Sequence, residues 1–260
     1  MEGRILSNIK NGKIDEITKN IKNAARQGNL HIVEFIINHG NDIFQNLFIL
    51  ELYECAFEES IKYGHINVVE FIIQHGVKIN INYGFKLSVD NDRPNIAEFL
   101  IQNGADVHYG CEHALRHSVF KGFTKIVEIL LKYGANAQVK DNEPIRMASE
   151  RGKFEIVKCL LNYKCNIYAR NFESLRNAAK NGHHEIVHLL ISCALNDNID
   201  KMLLLNAIDE ALKLSAIRDH FSIVRLLINN GADVNKINIH KLKKTKTRKY
   251  IESIIQFIDQ

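Results

Sequence analysis

The sequence predicts an all-α solenoid of stacked helix-turn-helix repeats. A thirteen-residue phrase, clearest as G-F-T-K-I-V-E-I-L-L-K-Y-G from Gly122 to Gly134, returns as G-N-L-H-I-V-E-F-I-I-N-H-G from Gly28 and G-H-I-N-V-V-E-F-I-I-Q-H-G from Gly64. Weaker copies start at Asp92, Gly152, Gly182 and Asp219. Within the phrase Ile126, Val127, Leu130 and Leu131 share one helix face, with a glycine before the helix and another at its end. One such helix cannot bury its own stripe, whereas seven in a row can bury one another's. The chain has only two prolines, Pro94 and Pro144, which suits a mostly helical protein.

Counting from the leading position makes the columns visible. The anchors lie at 28, 64, 92, 122, 152, 182 and 219, with gaps of 36, 28, 30, 30, 30 and 37. Seven residues before each anchor stands a large apolar residue: Ile21, Phe57, Phe85, Leu115, Ile145, Leu175 and Leu212. Four before it stands only Ala or Ser: Ala24, Ser60, Ser88, Ser118, Ala148, Ala178 and Ser215. A column of small side chains marks a close approach of helices. After the anchor come the core pairs, such as Ile126–Val127 and Ile186–Val187. Each repeat is therefore a short helix ending near the anchor, a tight turn and a second helix. Helix pairs are expected near 17–39, 53–75, 84–103, 112–133, 143–163, 173–193 and 210–230. In the two stretched gaps, residues 41–53 are expected to lengthen a first helix, and 193–209 to add a loop or a turn of helix around Met202–Leu205. Residues 1–16 resemble half a degraded repeat or cap, the array spans 17–235, and 236–260 form a basic linker and capping helix with Tyr250, Ile251, Ile254, Ile255 and Ile258 on one stripe.

At this point the chain resembles the ankyrin-repeat proteins. Their period is about 33, with T-P-L-H-x-A opening the first helix. Here Glu143-Pro144-Ile145-Arg146-Met147-Ala148 and Glu173-Ser174-Leu175-Arg176-Asn177-Ala178 take that motif's place. Endings such as Gly231-Ala232-Asp233-Val234-Asn235 are similar to the family's G-A-D-V-N. The shorter period predicts blunt β-turn fingers. The motif's histidine is replaced by Lys22, Lys86, Arg116, Arg146, Arg176 and Lys213, with Glu58 the exception. Glu143/Arg146, Glu173/Arg176 and Glu210/Lys213 stand at i,i+3, so ion pairs are expected in place of the family's Thr–His hydrogen bond. The short periods and the Asn- and Ile-rich composition look like the ankyrin proteins of giant viruses of amoebae.

Composition excludes several classes. Hydrophobic content of 46% and charged content of 25% are those of a folded soluble chain. No apolar run approaches the roughly 20 residues of a membrane span, and the start lacks the apolar core of a secretory signal. Cys55, Cys111, Cys159, Cys165 and Cys193 are odd in number and scattered, which reads as reduced thiols in the cytoplasm. The formal charge of +4 becomes −3 without the seven bases of 236–249, so the basicity belongs to that segment.

Few residue groups suggest chemistry. His184-Glu185-Ile186-Val187-His188 spells the zinc-protease H-E-x-x-H, but Ile186–Val187 is the repeat's own core pair and no third ligand follows. His108, Cys111, His113 and His117 crowd together and could hold zinc; the plainer reading is a finger-and-helix surface. Cys159 reads as a packed residue. No glycine-rich phosphate loop and no G-x-S-x-G occurs. Catalytic residues, metal and cofactor are accordingly expected to be absent. The run H-K-L-K-K-T-K-T-R-K could address the nucleus or bind nucleic acid, though it lacks the aromatic residues of single-strand binders.

The resemblance implies a concave binding surface made of fingers and first helices. The candidate contacts are residues that vary at equal register: Tyr63, Phe120, Lys121, Arg151, Lys180 and Arg218 at the ends of first helices, with Tyr109, Lys140 and Arg170 at the fingers. Aromatic and arginine side chains are the usual anchors of an interface. They suggest an acidic or aromatic-tolerant protein partner for a monomeric chain. Three readings stand: a protein-binding scaffold, a nucleic-acid or nuclear protein acting through 236–249, and a zinc hydrolase.

Overall fold

The computed structural model describes residues 2–42, 46–197 and 200–258, and only the backbone of residues 46, 47 and 111. The described residues are helical with no strand. They form α1 (Glu2–Lys10), α2 (Ile14–Arg26), α3 (Leu30–Asn41), α4 (Asn46–Tyr63), α5 (Ile66–Gln74), α6 (Ile81–Asp90), α7 (Pro94–Gln102) and α8 (Tyr109–Lys121). Then come α9 (Thr124–Lys132), α10 (Val139–Glu150), α11 (Phe154–Asn162), α12 (Ala169–Lys180), α13 (His184–Asn196), α14 (Lys201–Ile217), α15 (Phe221–Asn229) and α16 (Lys246–Ile258). Two short 3-10 turns, Val234–Lys236 and Ile239–Lys241, precede α16. The fold is the expected ankyrin-repeat solenoid.

The turn between the helices of a repeat follows from its sequence. The residue after the anchor donates its backbone N–H to the carbonyl of the small-residue column in all seven repeats, at 2.8–3.0 Å. This is the Schellman closure of a helix end, and it needs the anchor in the left-handed region. Gly152 stands there at φ 69°, and the aspartates that replace glycine at 92 and 219 stand at 52° and 64°. Asp tolerates that region better than most residues. The same turn ends α1, where Lys13 donates to the Asn8 carbonyl at 3.0 Å. The small column is buried throughout, with Ala148, Ala178, Ser60, Ser88, Ser118 and Ser215 at 0% exposure.

The chain divides into two compact bodies, Met1–His117 and Ser118–Gln260. In the first, α2 packs on α4 and α4 on α6, with α3, α5 and α7 as the second row. In the second, α10, α12 and α14 form the row of first helices, backed by α11, α13 and α15. The core pairs Ile126–Val127, Ile156–Val157, Ile186–Val187 and Ile223–Val224 are all buried between them.

Neighbouring repeats are also clamped by a side chain just after the anchor. His65 Nε2 donates to the Arg26 carbonyl at 2.7 Å, and Arg93 donates to the Lys62 carbonyl at 2.7 and 3.0 Å. In the second body His183 reaches the Glu150 carbonyl and His220 the Lys180 carbonyl, each at 3.0 Å. The anchor glycine makes room for this clamp: a Cβ on Gly152 would lie 2.6 Å from the His183 ring.

At the short crossings the chain makes a left-handed turn. Lys140, Asp141 and Asn142 have φ of 50°, 58° and 57°, and Arg170, Asn171 and Phe172 have 51°, 56° and 57°. Such residues cost about 1–2 kcal/mol each. The turn is pinned by the arginine that replaces the motif's histidine: Arg146 donates to the Asp141 and Lys140 carbonyls, and Arg176 to the Arg170 carbonyl at 2.9 Å. Regular helix then starts at Glu143 and Glu173, leaving Pro144 in its first turn, where proline is tolerated. The expected i,i+3 ion pair forms between Lys213 and Glu210 at 2.8 Å, but Arg146 pairs with Glu173 of the next repeat at 3.0 Å. Its guanidinium is held by the turn carbonyls and so faces the neighbouring helix.

The stretched gaps go into longer helices. α4 has 18 residues and α14 has 17. Residues 43–45 of the first insertion lie outside the described residues. At α16, Ile251 is fully buried and Tyr250 packs edge-on against Phe221. Ile258 is 55% exposed, so the expected stripe is covered at one end only.

Candidate functional site

The residues just before each anchor form the last turn of a first helix. Residues three, four and seven before the anchor point inward, which leaves the last two on the surface. In the second body these positions place Phe120, Lys121, Arg151, Lys180 and Arg218 in the open, one repeat after another. Phe120 is 45% exposed, and the Arg151 guanidinium lies 3.7 Å above its ring centre. That is a cation–π contact joining two repeats. Ile217, beside Arg218, is 51% exposed. The described residues place no carboxylate against Lys121, Lys180 or Arg218. The ridge therefore offers four cations and two apolar side chains, with one exposed acid, Glu150, beside Arg151.

The finger candidates behave differently. Lys140 and Arg170 are exposed, but Arg170 is tied to Asp141 at 3.0 Å. They edge a shallow depression of about 340 Å³ crossed by the Arg146–Glu173 pair. In the first body Tyr63 is 53% exposed and Tyr109 42%. Tyr63 neighbours a charge cluster in which buried Glu59 accepts from the partly exposed Arg26 at 2.5 Å and Lys62 at 3.0 Å. Burial would raise the Glu59 carboxyl, but the hydrogen bonds from Arg26 and Lys62 outweigh it and hold it below its usual range.

The metal candidates do not converge. His108 Nδ1 is bonded to Glu112 Oε1, which raises the imidazole's pKa. His113 stacks on His117 with ring centres 5.6 Å apart, and the Cys111 side chain lies outside the described residues. In H-E-x-x-H, Ile186 and Val187 are buried while His184 and His188 are exposed. Among the described residues no three His, Cys, Asp or Glu side chains come close enough to share an ion. Burial pushes the Cys165 thiol up to about 12, with nearby Cys159 adding to the rise.

The basic segment is partly built into the fold. Lys236 pairs with buried Asp209, Lys246 lies 4.3 Å over the Phe221 ring, and Arg248 meets Glu252 at 2.7 Å. Lys241, Lys243, Lys244 and Lys249 remain exposed.

Sequence reasoning missed two columns. One is the clamp after the anchor, visible as His65, Arg93, His183 and His220 once aligned. The other lies ten residues before the anchor. There Asn82, Asn142 and Asp209 each accept a backbone N–H from the next finger at 2.8 Å.

The sequence matches the ankyrin-repeat family, as three copies of the repeat, over residues 85–171 and 147–238, more than half of the chain. The chain belongs to the ankyrin-repeat family. Among solved structures it is similar to the ankyrin repeat domain of human ASB11, at 21% identity and a TM-score of 0.60, covering 75% of this chain and 96% of that one. No curated protein matches the chain. Among the described residues no helix is long and apolar enough to cross a membrane.

Proposed function

We propose that this chain is a non-enzymatic scaffold that binds an acidic protein on the ridge Phe120, Lys121, Arg151, Lys180 and Arg218, with Lys140 and Arg170 at its edge. One observation carries the reading. The stacked Arg151–Phe120 pair and the neighbouring cations lie exposed at the last two positions of successive first helices, outside the buried columns. An Arg held flat on an aromatic ring gives up little rotamer freedom on binding and can still accept a carboxylate. In the first body Tyr63 and Tyr109 are the matching candidates. The scaffold acts as a monomer in the cytoplasm, with 1–16 and 236–260 as caps of the array 17–235. The short period supports the narrower likeness to the ankyrin proteins of giant viruses of amoebae.

The nucleic-acid reading keeps one supporting observation, the exposed Lys241, Lys243, Lys244 and Lys249. It is weakened by the three bases of the same segment that are already paired with groups of this chain. The deciding experiment captures partners from the native cell with wild-type chain and with Phe120→Ala, Lys121→Ala, Arg151→Ala combined. The triple variant loses the partner, while Lys125→Ala with Lys132→Ala on the second-helix side retains it. Equal capture by all three proteins would refute the ridge.

A further inference from the structure

The grooves between consecutive first helices are not alike. Between α10 and α12 the groove is closed by Arg146 and Glu173 at 3.0 Å, and Arg170 stands at its end, paired with Asp141. Between α6 and α8 the same register positions hold Lys86 in place of Arg146, His113 in place of Glu173 and Gly110 in place of Arg170. Two basic groups cannot bridge the groove, and Lys86 turns to Asp90 on its own helix at 2.9 Å. Gly110 has no side chain to cover the opening. Its φ of 72° does not explain the glycine, because Lys140 and Arg170 hold 50° and 51° at the same register. The result is a cavity of about 410 Å³, floored by Phe85, Val89 and Ala114 and rimmed by Lys86, Tyr109 and His113.

We propose that this cavity seats one bulky aromatic side chain of the protein partner, with a carboxylate of the partner lying beside it. The inference rests on the reading of the chain as a protein-binding scaffold. The volume stands at the low end of the roughly 300–1,000 Å³ of ligand pockets, which suits one ring system more than an extended ligand. The floor is apolar. The rim lacks the acid that Glu173 supplies in the α10–α12 groove, so a partner carboxylate between Lys86 and His113 would complete the same charge pattern. Of the acids beside the rim, Asp90 is engaged by Lys86 and lies 3.7 Å from His117, and Glu112 is engaged by His108.

The probe is N-acetyltryptophan. The chain has no tryptophan, so indole fluorescence reports the probe alone. Wild-type chain should bind it saturably, one per chain, in the millimolar range. The amide of the same probe, which lacks the carboxylate, should bind about threefold or more weakly. Gly110→Arg places a side chain where Arg170 stands, and His113→Glu restores an acid opposite Lys86. Each should weaken binding by about tenfold or more with the melting temperature retained. No saturable binding by the wild-type chain, or unchanged binding by folded His113→Glu, overturns the seat even if Gly110→Arg fails to fold. Equal binding of acid and amide overturns the carboxylate. The probe needs no partner, so a failure of the scaffold reading shows in the capture experiment and not here.

Discussion

Two crossings in the second body carry the chain between repeats by different means. From α11 to α12 the link is short. It turns through Arg170, Asn171 and Phe172 in left-handed backbone, with Arg176 holding a turn carbonyl. From α13 to α14 the gap is longer, and the extra residues go into helix: α13 has 13 residues where α11 has 9, and α14 has 17. The added turns expose Leu195 at 63% and Met202 at 64%. A short link must reverse sharply and needs a clamp, whereas a long one can relax into regular helix. The stack accepts both because its apolar core lies in the buried columns, which either link leaves in register.

That contrast can be broken at several points. The largest effect belongs to what the crossings share. Ala148→Leu or Ala178→Leu forces side-chain volume into a fully buried column and should cost about 1–3 kcal/mol in a denaturant melt, whichever link lies nearby. Next come the clamps. Arg176→Ala should destabilise by about 1–2 kcal/mol, since a charge-assisted hydrogen bond to a turn carbonyl is lost. His183→Ala should cost about 1 kcal/mol for the bond to the Glu150 carbonyl.

Glycine substitution separates the two links by sign. Lys140→Gly relieves left-handed strain and should be neutral or stabilising by up to about 1 kcal/mol. Leu203→Gly, in regular helix at the long crossing, should destabilise by about 1 kcal/mol. A loss at Lys140 would show that the left-handed turn is not formed in solution.

Two smaller effects concern ionisation. Glu59 has a folded-state pKa below its unfolded value near about 4.3. Its contribution to stability is present above that value and lost as pH falls through the folded one. Glu59→Gln should therefore flatten the loss of stability on the acid side of pH 4 while lowering stability at neutral pH. Cys165, with its thiol at about 12, should resist alkylation at pH 8 while the chain is folded, as read by peptide mass spectrometry. Rapid labelling of Cys165 would contradict its packing.

The sequence carried the helix pairs plainly, because small, large and branched residues recur at fixed distances from the anchor. It also showed where the links are short. It did not show how they turn, since nothing in Lys140-Asp141-Asn142 marks three successive left-handed residues. Arg146 was readable as a replacement for the motif's histidine, but its partners depended on that turn. Exposure of Phe120 followed from its place beyond the buried column. The stacking of Arg151 on its ring did not, because it joins residues of two repeats. The open α6–α8 groove was written in Gly110 and His113, yet it becomes visible only when those positions are set against Arg170 and Glu173.

The central claim is that the stack is held by its columns and binding belongs to the ridge. Once a partner is captured, its affinity should be measured for wild-type chain, for the Phe120→Ala, Lys121→Ala, Arg151→Ala variant, and for a chain lacking 241–260 with an intact melt. The triple variant should bind about tenfold or more weakly at unchanged stability, within about 0.5 kcal/mol per substitution, and the truncated chain should bind as the wild type does. Binding that survives the triple variant, disappears with 241–260 and falls steeply with salt would contradict the claim and assign function to the basic segment.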